Sequence, residues 1–344
     1  MIERKNFLLI CVLGISAIVT GLALHNHIVR VKAAKLAQAI PPAPYFPPGA
    51  VWYQDVSNAP IDPHSSEIIG WLANNGGWGH GNRMQVDFGM RVMQADASTP
   101  MVPFRKSDDF TSPDSDMVFT FPLPAGGGAE AHTDYKCPVD DEDCHLIVVN
   151  RGLGKLYEAY HATYDSKVLR AEFVSVWDMN RVYPLSGRGE QCTSADAAGF
   201  PIAPLLFNAD ELAAGSISHA IRFILPNQRM RAKVYVHPAT HAGGPSGPSS
   251  APPYGAHFRL KASFDVSQLS PTAQVVARAM QKYGMFLSDG GNIALTAQSD
   301  EDTITKYAEL GFGSHDLEAL KVTDFEVLDY GKPIPLTYDC DRNQ

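Results

Sequence analysis

Residues 145–160 read His-Leu-Ile-Val-Val-Asn-Arg-Gly-Leu-Gly-Lys-Leu-Tyr-Glu-Ala-Tyr. His145–Asn150 and Lys155–Tyr160 are rich in β-branched and aromatic side chains, and Arg151-Gly152-Leu153-Gly154 between them has the composition of a tight turn. The stretch therefore predicts a β-hairpin, and the same texture continues outward from it. Met117–Phe121, Val168–Trp177, Ala220–Leu225, Arg231–His237, His257–Asp265, Met285–Leu287, Ile293–Thr296 and Phe325–Leu328 read as strands, with Gly, Pro and Asp clusters between them. Nearer the start, Met84, Val86 and Phe88 alternate with polar residues over Arg83–Phe88.

Helices are few. Over Asp62–Asn74, Asp62 is a cap, Pro63 a first helical residue, and Ile68, Ile69, Trp71 and Leu72 form one apolar face. Over Ser270–Tyr283, Ser270 caps, Pro271 starts, and Val275, Val276, Ala279 and Met280 turn inward. Asp210–Ser218 and Ser314–Lys321 are expected to be shorter helices. Strands do not alternate regularly with helices, which disfavours Rossmann-like and TIM-barrel folds. The expected fold is mainly β: one β-sandwich or jelly-roll-like domain with a few short helices.

The charged start Glu3-Arg4-Lys5 precedes an apolar run from Phe7 to Leu24, the pattern of a signal peptide or a membrane anchor within residues 1–40. A Pro-rich linker, 41–49, then leads to a globular domain over 50–344. The chain has 344 residues, of which 45% are hydrophobic and 19% charged, so there is core material for one large domain or two modest ones. Its 28 Lys+Arg face 37 Asp+Glu, net −9, which argues against a general nucleic-acid binder. The membrane is met only through the N-terminal segment. Setting aside Cys11 in the apolar run, four cysteines remain, and an exported chain favours the pairs Cys137–Cys144 and Cys192–Cys340. No Cys-x-x-Cys spacing points to a metal, and no cofactor fingerprint, Walker loop or Gly-x-Ser-x-Gly elbow is present.

Period-two arithmetic puts Lys233 and Tyr235 on one face of Arg231–His237, and Arg259 and Lys261 on one face of His257–Asp265. If these strands paired, a basic face would form and attract an anionic ligand. Residues 238–256 join them through a Gly/Pro/Ser-rich loop of the length found in functional flaps or in disordered connections. His219 and His241 fall near these strands and titrate in the range needed for acid or base duty. Asp196 and Asp289 sit in small-residue turns and complete the candidate catalytic set, with Arg222 as a further carboxylate holder.

Cys192–Ile202, Ile217–Phe223, His257–Asp265 and Tyr283–Gly291, taken in this order, resemble blocks of a group of uncharacterised exported bacterial proteins. The resemblance implies export and a single domain of catalytic size, and it carries no reaction. The expected function is an extracytoplasmic carbohydrate-active protein, a hydrolase or lyase acting on an acidic polysaccharide. The alternative is a non-catalytic glycan-binding or structural cell-envelope protein. A closed cleft with converging titratable groups distinguishes the enzyme from the binder.

Overall fold

The computed structural model describes residues 44–107, 110, 113–137 and 143–343. The leader expected within residues 1–40 lies outside them, and no helix among the described residues is long and apolar enough to cross a membrane. The hairpin forms where the sequence places it, Leu146–Asn150 against Lys155–Tyr160, antiparallel, with Asn150 opposite Lys155. In chain order the strands are Val86–Met90 (β1), Val92–Ala95 (β2), Met101–Lys106 (β3), Thr120–Pro122 (β4), Leu146–Asn150 (β5) and Lys155–Tyr160 (β6). Thr163–Tyr164 (β7), Leu169–Ala171 (β8), Phe173–Asp178 (β9), Gly189–Glu190 (β10), Ile221–Leu225 (β11) and Val234–Tyr235 (β12) follow. Last come His257–Leu260 (β13), Met285–Gly290 (β14), Leu295–Gln298 (β15), Phe325–Val327 (β16), Ile334–Pro335 (β17) and Asp341–Arg342 (β18).

The chain is mainly β, arranged in several sheets, none of them closed. The largest has the order β1-β15-β11-β14-β13-β16, and two four-stranded sheets run β2-β5-β6-β9 and β4-β3-β8-β7. Pairing is mixed: β11 runs parallel to β14, β1 to β15, and β2 to β5. Parallel neighbours require crossovers, and the β11-to-β14 crossover carries the best-signalled helix, Pro271–Lys282, with Ser270 Oγ accepting from Ala273 N–H at 3.3 Å.

Every residue of β5 is buried. Period two explains why: Ile147 and Val149 join one hydrophobic cluster, with Leu156, Trp177, Val86, Phe223 and Leu295, while Leu146 and Val148 join a second, with Phe104, Phe121 and Leu169. The sheet containing the hairpin is thus covered on both faces, and its first cluster is shared with the six-stranded sheet. Trp78 is fully buried in that shared core, packs edge-on against Phe223 and Phe325, and donates its indole N–H to Leu320 O at 3.0 Å.

Several expectations change. Phe46 is buried against Trp52, Trp177 and Tyr183, so packing begins inside the stretch read as a linker. The first helix is Ser65–Asn74; Asp62 accepts from His64 N–H just ahead of it instead of capping it directly. Ser314–Lys321 forms turns. Arg231–His237 shrinks to Val234–Tyr235 because Lys233 takes a φ of 62°, which breaks the extended alternation. That strand pairs with β17, and β13 pairs with β14 and β16, so the two basic segments are not neighbours in a hairpin. Both expected disulfides are present: Cys137–Cys144 with Cα atoms 5.7 Å apart, and Cys192–Cys340 with Cα atoms 4.3 Å apart.

Candidate functional site

A cleft of about 280 Å³ opens where the end of β14, the loop around 193–197 and the segment 241–244 meet the start of β5. Its walls carry Asp143, His145, His241 and Asp289 as titratable groups and Phe110, Tyr160 and Tyr254 as aromatic ones. Gly243, Gly244 and Gly290 also line it.

The cleft is built on a buried arginine. Arg222 stands on β11, next to β14 and β15, and is 1% exposed. Its Nε and Nη2 donate to Asp196 Oδ2 at 3.1 and 2.7 Å, Nε also reaches Ser288 Oγ at 3.2 Å, and Nη1 donates to Thr296 Oγ1 at 2.7 Å. Nη2 lies 3.5 Å from Asp289 Oδ2. The register between β11 and β14 slips between Phe223 and Ile224, so that Ile224 faces Asp289 and Ser288 is the extra residue. Such a bulge re-aims side chains, here turning Ser288 Oγ to the guanidinium while Asp289 lines the cleft.

The turn 193–199 organises the rest. Asp196 is completely buried, and its Oδ1 accepts from Ala198 N–H at 3.1 Å. Ala197 links two cleft groups: its N–H approaches Asp289 Oδ2 at 3.4 Å, and its carbonyl accepts from His241 Nδ1–H at 3.0 Å. The Ala195 carbonyl accepts from His145 Nε2 at 2.9 Å. Gly199 closes the turn at φ 82°, where a Cβ would lie 2.2 Å from Thr240 Oγ1. The Asp-Ala-Ala-Gly pattern is therefore the scaffold on which the cleft's charged groups are hung.

Charges follow from these partners. His145 has acceptors on both ring nitrogens, Glu130 Oε2 at 2.6 Å and Ala195 O, so both nitrogens carry protons. Burial disfavours that cation, but Glu130 outweighs it and raises the imidazole pKa to about 9. His241 is the opposite case. Burial lowers its pKa, and with Nδ1–H given to Ala197, Nε2 is left as an acceptor with no partner among the described residues. Burial raises the pKa of Asp289 against the pull of Arg222. Burial also raises Asp196, and Asp289 adds to this, yet the two short bonds from Arg222 identify Asp196 as the ionised member of the pair. Tyr254 is fully buried, and its hydroxyl accepts a hydrogen bond from the Gly243 backbone.

Of the residues singled out from the sequence, Asp196, Arg222, His241 and Asp289 come together here. His219 does not. Its Nδ1 donates to Ala220 O at 2.7 Å and its Nε2 to Glu211 Oε1 at 3.1 Å, leaving no nitrogen for chemistry. Arg222 holds the protein's own carboxylates, with every guanidinium nitrogen engaged, and is not offered to a ligand. None of Lys233, Tyr235, Arg259 or Lys261 lines the cleft. Lys233 is exposed, whereas Tyr235 is fully buried and donates to Glu190 Oε2 at 2.6 Å. Arg259 pairs with Glu326 at 2.7 Å, and Lys261 Nζ caps Thr323 O at 2.7 Å. Sequence reasoning missed Asp143, His145, Glu130 and Tyr254. His145 opens a strand that drew attention only for its apolar residues, and Glu130 sits in a Gly-rich stretch without periodicity.

Among the described residues the grouping that has metal-ligand spacing is Asp114, Cys192 and Cys340, and both thiols are spent in the disulfide. No protein-family model matches the chain, and no curated protein or solved structure is similar to it.

Proposed function

We propose that the protein is a glycan-processing hydrolase acting outside the cytoplasm, with Asp289 as general acid. The observation that carries this reading is a cleft walled by aromatic rings in which two carboxylates of unlike surroundings, Asp289 and Asp143, both line the wall. The Asp289 side chain is 26% exposed, and desolvation raises its pKa, the direction a proton donor needs near neutral pH, whereas Asp143 is exposed. Such a pair is what glycosidic bond cleavage requires: one carboxyl protonates the leaving oxygen, and the other, ionised, serves the anomeric carbon directly or through water. His241 Nε2 stands ready to orient that water. Phe110 and Tyr160, both partly exposed, supply faces for the apolar side of a sugar ring.

The basic residues that motivated an acidic polysaccharide are dispersed, so the reading is of a glycan without a commitment to uronic acids. The two disulfides favour an oxidising compartment. The core shared by the six-stranded and hairpin sheets supports treating them as layers of one sandwich-like body. The test is depolymerisation of neutral, N-acetylated and uronate oligosaccharides by the wild type and by Asp289→Asn. Turnover of at least one class, falling about 10²–10⁴-fold in the variant, is expected. Undiminished turnover by Asp289→Asn would remove Asp289 from its role, and binding without turnover would leave a lectin-like cleft.

A further inference from the structure

Beside the cleft stands an aromatic ring that the site as described does not use. Tyr338 is 60% exposed, and its ring centroid lies 5.3 Å from that of His241, edge-on at 68°. Its φ is 65°, a conformation a bulky residue seldom adopts without cause. The segment around it is fastened at several points. β17 pairs with β12, β18 pairs with β10, Thr337 N–H donates to Gln191 Oε1 at 2.8 Å, and Cys340 is bonded to Cys192. Gln191 in turn donates to Pro335 O at 3.1 Å. An exposed large ring on so well-anchored a segment is not explained by packing, since most of its surface faces water. Its neighbour His241 lines the cleft, so the ring adds an exposed aromatic face immediately beside a cleft-lining residue.

We infer that Tyr338 is a stacking platform for a second sugar unit, which makes the substrate an oligosaccharide or polysaccharide chain that extends beyond the cleft. This rests on the glycan reading above. The cleft holds one ring comfortably at about 280 Å³, and a neighbouring unit must leave across its rim. A tyrosine face there binds the C–H face of a pyranose with little ordering cost, because the disulfide and the β17 and β18 pairings already hold the segment. Because the platform touches only a remote unit, its contribution is to binding and is the same in ground and transition states.

The experiment compares the full chain with Tyr338→Ala and Tyr338→Trp on disaccharides and hexasaccharides of whichever class the wild type cleaves. Tyr338→Ala is expected to raise KM for the hexasaccharide about tenfold with kcat unchanged, consistent with the worth of one aromatic contact. It should leave the disaccharide untouched, and Tyr338→Trp should restore the hexasaccharide KM. Thermal melts of both variants check that the exposed position leaves folding intact. Equal effects on short and long substrates, or none on either, would overturn the platform while leaving Asp289 and the glycan reading standing. If the wild type neither binds nor cleaves any oligosaccharide in the panel, the glycan reading itself falls and the platform with it.

Discussion

Arg222 holds the centre of the site together by being unavailable to anything else. Its guanidinium, 1% exposed, joins Asp196, Ser288 and Thr296 and lies 3.5 Å from Asp289. Replacing it with an apolar side chain leaves Asp196 as a buried carboxylate without its counter-ion. Arg222→Met should therefore lower stability by about 3–5 kcal/mol, read from the urea midpoint, and part of that loss should be recovered in Arg222→Met/Asp196→Asn. A double variant no more stable than the single one would show that the two charges do not act as a pair. At this scale the sequence singled out Asp196, Arg222, His241 and Asp289, which the structure brings together, but misjudged the partners of Arg222, because a charge on a strand reads the same whether it meets a ligand or the protein's own carboxylates. His219 misled for a related reason: a histidine's partners come from folding, and Glu211 Oε1 and Ala220 O take both its nitrogens.

Elements place these residues through breaks in regularity. β-Branched and aromatic composition between turn-forming clusters located β5, β6, β11 and the first half of β14, and capping chemistry located the helix Pro271–Lys282. It could not foresee the slip in register that turns Ser288 toward Arg222, nor the positive φ at Lys233 that ends the expected basic strand, since both are set by tertiary contacts. A second such contact lies on β6. Glu158 is fully buried and accepts from Ile202 N–H at 2.8 Å, Ala203 N–H at 3.0 Å and Trp177 Nε1–H at 2.9 Å. It joins the hairpin to the short turn Ala203–Leu205 and to β9. Burial pushes its pKa up to about 7 against the pull of those three donors. Glu158→Gln puts an amide N–H against at least one of them. At pH 8, where the wild-type carboxylate is ionised, the change should cost about 1–3 kcal/mol in chemical denaturation, and an unchanged midpoint would mean that the turn does not depend on this junction.

Across the whole molecule, the pairing of His145 with Glu130 ties stability to pH. The imidazole is raised from 6.5 to about 9, so its contribution is complete below about pH 6.5 and is lost as pH rises through 9. Glu130 is lowered from 4.5, chiefly by His145 against the effect of its burial, so its share is present above 4.5 and lost on acidification. The two describe one interaction, and its plateau lies between pH 4.5 and 6.5. Unfolding free energy should fall by about 3 kcal/mol between pH 6.5 and pH 9.5 in the wild type, and by much less in His145→Gln. Equal slopes in both proteins would assign the pH dependence elsewhere. Composition and texture were enough to read the mainly β character and the two disulfides at this scale. The parallel neighbours and the sharing of one core by two sheets were not readable, because crossover connections leave no local trace in the sequence.

The bond from Cys192 to Cys340 spans 148 positions of sequence, and the rim that carries Tyr338 lies at its far end. A ribosome has delivered Arg222, His241 and Asp289 well before residue 340 appears. A nascent chain can therefore gather its charged groups while the cleft still lacks its outer edge. Synthesis thus delivers the charged groups of the cleft first and the segment that carries Tyr338 last.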